Sequence, residues 1–222
     1  MSVDTPAPQA AEIVREYGPF AGADKVAGVT HDGQRVWAAT GASLLAFDPA
    51  SGEPVRRIDC ACDAGTAFDG RFLYQIAEAR ITKIDPATGQ VVHSIPAPGQ
   101  GGDSGLAWAE GSLWVGQHRS RQIHQIDPAT GAIQRTIESN RFVTGVTWVD
   151  GELWHGTWED DASEIRRVDP ASGAVLARLA MPRGANVSGL ESDGADLFYA
   201  GGGGTGKVRA VRRPKPQATQ AA

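Results

Sequence analysis

Between Asp103 and Ile137, apolar and polar residues alternate in four short runs, SGLAWA, SLWVGQ, QIHQID and AIQRTI, separated by turn residues. Runs of this length, rich in β-branched and aromatic side chains, predict strands. The pattern recurs. A glycine opens each copy, at Gly28, Gly65, Gly105, Gly145 and Gly189, giving intervals of 37, 40, 40 and 44 residues. An acid and a glycine follow: Asp32-Gly33, Asp69-Gly70, Glu110-Gly111, Asp150-Gly151 and Asp193-Gly194. An aromatic comes next, at Trp37, Tyr74, Trp114, Trp154 and Phe198. Asp-Pro closes the first four copies at Asp48, Asp85, Asp127 and Asp169, and the fifth lacks it. Asp-Gly tolerates the positive φ of tight hairpins, and Asp-Pro-x-x-Gly presets a second turn.

Four strands in roughly 40 residues, five times over, predict an all-β, five-bladed β-propeller of four-stranded blades. A lone sheet of this size cannot bury both faces, whereas blades packed around an axis can. The fifth copy, Ser188 to Val211, has room for three strands, and IVREYGPF near the N-terminus resembles the last strand of other copies. An N-terminal strand within residues 13–20 is therefore expected to close the last blade. The expected boundaries are a disordered arm over 1–10, one propeller over 11–213 and a flexible tail over 214–222.

Composition narrows the classes. The chain has 222 residues with 28 Gly and 13 Pro, yet 41% are hydrophobic, which fits a loop-rich β protein. A net charge of −5 argues against nucleic acid as a partner, and the basic KVRAVRRPKP reads as a solvated tail. No run approaches the roughly 20 apolar residues of a membrane span. MSVDTPAPQAAE lacks the basic and apolar regions of a secretory leader, so a cytoplasmic location is expected. Cys60 and Cys62 are too close for a comfortable disulfide, and no neighbouring Cys or His completes a metal set, so they are expected to be free thiols in a loop.

In a propeller of this order, the loops leading into each first strand share one end with the turns between second and third strands. That end is the channel mouth. The Asp-Gly and Asp-Pro turns lie at the other end, so Asp48, Asp85, Asp127 and Asp169 are expected to be structural. Glu78, His118, Trp158 and Glu159 fall four or five residues past their blade aromatics and should reach one mouth. Glu78, His118 and Glu159 are the candidate acid–base groups. Trp158, Phe142, Arg141, Arg119, Asn140, Asp103 and Gln117 are the candidate ligand-binding residues. GGGGTGK over 201–207 has the glycines of a phosphate loop without its spacing or a following helix. No nucleophile motif is present.

FVTGVTWVDGELWHGTWEDDASEIRRVDPASGAVLARLAMP and GTAFDGRFLYQIAEARITKIDPATG resemble blades of the plant- and bacterial-type glutamine cyclotransferases. The resemblance implies a five-bladed propeller and a small-molecule pocket at the mouth. In that family the second blade opens with a pattern like GEGLT, whose Glu is the acid–base residue; here that position is Ala64. A family Gln is Ala27, and an Asn-Glu pair is Thr144-Gly145. Trp158 matches a family Trp, while another family Trp is replaced by Glu78. The expected function is an enzyme of this kind with altered acid–base chemistry. Two alternatives stand beside it: a non-catalytic binding propeller, and a metal-assisted lyase similar to the seven-bladed streptogramin lyases. In the latter case His118, Glu78 and Glu159 would be the ligands of a divalent metal.

Overall fold

The structure, a computed structural model, describes residues 5–215. Two strands precede the first blade, β1 (Gln9–Ala10) and β2 (Ile13–Tyr17). Blade one is β3 (Gly28–His31), β4 (Val36–Ala39), β5 (Gly41–Phe47) and β6 (Pro54–Cys62). Blade two is β7 (Thr66–Phe68), β8 (Leu73–Ala77), β9 (Arg80–Ile84) and β10 (Val91–Pro96). Blade three is β11 (Asp103–Ala109), β12 (Ser112–Gln117), β13 (Gln122–Ile126) and β14 (Ile133–Glu138). Blade four is β15 (Val143–Val149), β16 (Glu152–Glu159), β17 (Ala162–Val168) and β18 (Val175–Ala180). Blade five has β19 (Leu190–Ser192), β20 (Leu197–Gly201) and β21 (Val208–Arg212), and β2 pairs antiparallel with β21 to complete it. The expected five-bladed, latched propeller is thus what forms.

The latch is held by side chains as well as by the ladder. Tyr17 is buried among Phe20, Phe47 and Tyr199, and its hydroxyl donates to Pro49 O at 2.9 Å. The Arg15 guanidinium donates to the carbonyls of Pro49, Ala50 and Ser51. The last strand of blade five therefore grips the Asp-Pro turn of blade one.

The arm departs from expectation. Gln9 and Ala10 are not disordered: they pair in parallel with Leu179 and Ala180 as a fifth strand on blade four. The outer edge of β18 would otherwise present unpaired backbone groups, which a short added strand covers. Arg178 also donates to Pro6 O. Residues 1–4 of the expected arm and 216–222 of the expected tail lie outside the described residues. Cys60 and Cys62 are not in a loop: they lie at the end of β6, the outer strand of blade one, as free thiols.

The axial glycines explain the period. A Cβ on Gly28 would meet Ala64 O at 2.5 Å, and one on Gly65 would meet Leu106 N at 2.4 Å. One on Gly105 would meet Thr144 O at 2.3 Å, on Gly145 Leu190 N at 2.3 Å, and on Gly189 Val29 N at 2.6 Å. Each opening glycine thus packs on the backbone of the next blade, and the fifth returns to the first. Only a residue without a side chain permits that approach.

The far end is regular. In every Asp-Pro turn the carboxylate accepts backbone N–H groups just downstream: Ala50 for Asp48, Ala87 and Thr88 for Asp85, Ala129 and Thr130 for Asp127, Ala171 and Ser172 for Asp169. These aspartates are structural, as expected. Asp32 and Asp69 also accept from Trp37 Nε1 and Tyr74 Oη, tying the turn to the blade aromatic. Among the described residues, no helix is long and apolar enough to cross a membrane.

Candidate functional site

One residue mouthward of the glycine ring stand Ala27, Ala64, Ser104, Thr144 and Ser188. Ser104 Oγ lies 3.0 Å from Gly116 O and 2.9 Å from Val143 O, so it ties blade three to blade four. Ser188 donates to Val26 O and ties blade five to blade one. Thr144 Oγ1 is buried without a hydrogen-bond partner, against Gly156, where a Cβ would come within 2.5 Å of it. Gln75 donates to Ala64 O and Ile76 O, and its own Oε1 is buried without a partner. None of these five residues, nor Gln75, is an acid.

Above them, His118, Phe142, Arg141 and Glu159 are brought together with Arg121. His118 stacks on Phe142 with ring centroids 4.8 Å apart, and its Nδ1 lies 3.2 Å from Val143 O. The Arg121 guanidinium lies over the same Phe142 ring, 4.5 Å from its centroid. Arg121 also donates to Asn140 O and pairs with Glu159 at 2.8 Å. Arg141 approaches the other Glu159 oxygen at 3.4 Å. Glu159 is therefore shared between two guanidiniums and is poorly placed to serve as a free base. Trp158 precedes Glu159 at the end of β16; its backbone N–H donates to Phe142 O at 3.4 Å, and the residue is 38% exposed.

Asp103 and Gln117 form a separate group. Both are buried. Asp103 accepts the Gly99 N–H through both oxygens, at 2.9 and 3.0 Å, and Gln117 accepts from Ser120 at 2.6 Å. They fasten the loop ahead of blade three. Burial pushes the Asp103 carboxyl above its ordinary range, against the opposing pull of the Gly99 amide and Gln117. Arg119 is exposed on the turn after β12. Glu78 is exposed on the tight turn after β8, where it takes φ +56°, and among the described residues no side-chain hydrogen bond or ion pair joins it to the His118 group. Asn140 Oδ1 accepts from Arg166, so its side chain joins blade three to blade four.

Two groups escaped the sequence reading. Arg166, itself buried, donates to Glu164, which Arg178 also grips. Burial would raise the Glu164 carboxyl, but the bonds from Arg178 and Arg166 outweigh it and hold it at about 2. Beside them, burial lowers His155 to about 4, so it is a neutral structural imidazole. The second group is Glu191, two residues past its axial glycine, where the other blades carry Thr30, Ala67, Ala107 and Thr147. It accepts from Thr30 of blade one and Thr147 of blade four. Part of its surface is reachable by solvent, yet protein surrounds it, as expected of a group lining a narrow axial channel. Enclosure governs its charge: burial pushes the carboxyl up to about 7, against the pull of Thr147, the Ser192 N–H and Thr30. An acid among Thr and Ala at one repeat position was the signal for it.

Among the described residues no three His, Cys, Asp or Glu side chains gather as a metal site. A groove of about 470 Å³ lies elsewhere, on the outer part of blade four, between Pro6, Gln9, Trp154, Leu176 and Lys215. None of the candidate residues lines it.

The fold and this mouth define a five-bladed propeller with an aromatic and cationic rim. It is similar to the crystal structure of Myxococcus xanthus glutaminyl cyclase, with a TM-score of 0.77 and 18% identity over 93% of this chain and 97% of that one. More distant likenesses are to a chain of the mitotic checkpoint complex and to Kuenenia stuttgartiensis hydrazine synthase. Their TM-scores are 0.52 and 0.51, at 15% and 17% identity, over 85% and 91% of this chain and 74% and 60% of those. At such identities the likeness establishes the shared fold. No family model matches the sequence, and no curated protein matches it.

Proposed function

We propose that this chain is a small-molecule-binding propeller, related to the glutaminyl cyclases through its fold, whose ligand seats at the channel mouth. The observation that carries this reading is Trp158. It is 38% exposed, whereas the other five tryptophans are buried or half-buried in the body of the blades. An open indole on the same rim as the His118–Phe142 stack and two guanidiniums suits a small planar or anionic group. A ligand carboxylate would compete with Glu159 for Arg141 and Arg121. Binding without turnover is favoured over the cyclase chemistry, because Ala64 stands where the resemblance places the acid–base Glu and Glu159 is ion-paired. With a net charge of −5, a nucleic acid or a membrane surface is a poor partner.

One observation favours a second reading, an enzyme with altered acid–base chemistry. Asp103 is a buried carboxyl at the mouth end of β11, raised by its burial toward the range useful for proton transfer. A thermal-shift panel separates the readings. It would contain an N-terminal glutaminyl peptide, small dicarboxylates, small amines and divalent chlorides, each applied to wild type and Trp158→Ala. A melt shift that Trp158→Ala abolishes supports the mouth site. Turnover lost in Asp103→Asn at unchanged binding supports the enzyme. A panel that shifts wild type and Trp158→Ala equally contradicts both.

A further inference from the structure

The charged groups of the mouth are held by backbone as well as by side-chain contacts. Asp160 and Asp161 take φ +53° and +60°, the mirror-image turn of a two-residue hairpin, and Glu159 pairs with Ala162 across it. Glu159 is thereby fixed at the end of β16. Arg121 takes φ +56° on the turn after β12, a conformation that glycine fills at little cost and other residues seldom adopt. Its guanidinium is anchored at three points: over the Phe142 ring, on Asn140 O and on one Glu159 oxygen. Backbone strain kept at a rim position points to a role in recognition rather than in the frame.

Arg141 is held differently. Among the described residues its side chain makes no hydrogen bond, and its ion-pair partner is the other Glu159 oxygen at 3.4 Å. Its fork is therefore open, with 26% of the side chain exposed. Two guanidiniums share one carboxylate, so a positive charge is left over. Asp160 and Asp161, though adjacent in sequence, form no ion pair with either guanidinium among the described residues. The surplus extends inward. Burial holds the Arg166 guanidinium below its ordinary range against the pull of Glu164, and the nearby charge of Arg141 adds to the lowering. An anion at Arg141 would offset that repulsion, and a planar guanidinium fork takes a carboxylate through two parallel bonds.

We infer that the mouth selects a small carboxylate ligand through Arg141, and that Glu159 is a resident competitor which the ligand's carboxylate displaces from the two guanidiniums. This rests on the reading that ligands seat at the mouth. Glu159 keeps both guanidiniums in position when the site is empty and lowers the affinity for anions by occupying them. Its side chain is 21% exposed, so the displaced carboxylate can return to water, and a partly exposed pair of this kind is weak enough to exchange. A neutral ligand gains nothing from the exchange, and a cation is repelled by the surplus charge.

The test titrates the full chain with benzoate and with its neutral counterpart benzamide, following the arginine Nε–Hε signals and the heat of binding. In the wild type, benzoate should move the Arg141 and Arg121 signals and benzamide should not, a readout that requires no variant to fold. Glu159→Gln should bind benzoate about fivefold more tightly, the worth of an exposed ion pair, with benzamide unchanged. Arg141→Gln should lose benzoate binding. Equal benzoate affinity in wild type and Glu159→Gln, or arginine signals that stay still while benzoate binds, would overturn the inference. If Trp158→Ala still abolishes that binding, the mouth remains the ligand site. Benzoate that binds neither wild type nor Glu159→Gln also overturns the inference, and the Trp158-dependent melt shifts with glutaminyl peptide or amines then decide the mouth reading separately.

Discussion

The two ends of this propeller are built from loops on the same strands, and they behave differently. At the far end, four aspartates do one job four times, each capping the N–H groups of its own turn. At the mouth no position does the same thing twice. His118 stacks, Glu159 is clamped, Glu78 is exposed on a hairpin and Asp103 holds a loop. Repetition marks what the frame requires of every blade. Variation at positions the frame does not constrain is where a ligand can be recognised.

The sharpest way to break this comparison is at the axis, where both ends meet. Gly105→Ala puts a Cβ 2.3 Å from Thr144 O, against backbone that cannot yield. It should cost about 3 kcal/mol or more in denaturant unfolding. Gly111→Ala, in a turn at φ +75° with open space around it, should cost only about 1 kcal/mol. Equal costs would mean that the glycine ring does not set the blade spacing.

Glu191→Gln comes next. The folded carboxyl sits at about 7, above its ordinary value of 4.5, so the folded state holds the proton more tightly than the unfolded chain. The stability associated with that proton is fully present below about pH 4.5 and is lost as pH rises through 7. Removing the charge should raise stability at pH 8 by roughly 2–3 kcal/mol and change little at pH 4. Urea melts at both pH values measure this directly. A variant less stable than wild type at pH 8 would contradict the assignment.

Smaller effects separate the ends themselves. Asp127→Ala removes a carboxylate that accepts the N–H groups of Ala129 and Thr130 and the Thr130 hydroxyl, and should lower the urea midpoint measurably. Glu78→Gln, on an exposed turn, should stay within about 0.5 kcal/mol of wild type. A cost for Glu78→Gln equal to that of Asp127→Ala would show that the rim also carries the frame.

The fold was legible because its determinants repeat. Five glycines at near-constant intervals, the Asp-Gly and Asp-Pro turns and the blade aromatics all report local geometry that sequence spacing encodes. The latch was legible because IVREY has the pattern of an outer strand and the fifth copy lacks one. The site was legible only as a rim. Sequence position put Glu78, His118 and Glu159 at one end, but whether they touch depends on turn direction and on partners from other blades, such as Arg121 and Arg141. Asn140 and Gln117 read as candidate ligand-binding residues of the mouth, yet they bond to Arg166 and Ser120, which spacing does not reveal as partners. The arm over Gln9–Ala10 was missed because a two-residue strand has no periodicity to detect.

The most direct test of ligand binding at the mouth is backbone amide chemical-shift mapping. Wild-type protein would be titrated with an N-terminal glutaminyl tripeptide and, separately, with succinate and with putrescine. The expected result is that at least one probe perturbs amides around Gly101–Ser104, His118–Arg121, Asn140–Thr144 and Trp158–Glu159. The amides of the Asp-Gly and Asp-Pro turns should stay unmoved. Perturbations centred on those far-end turns or on the blade-four groove, or none with any probe at millimolar concentration, would contradict it.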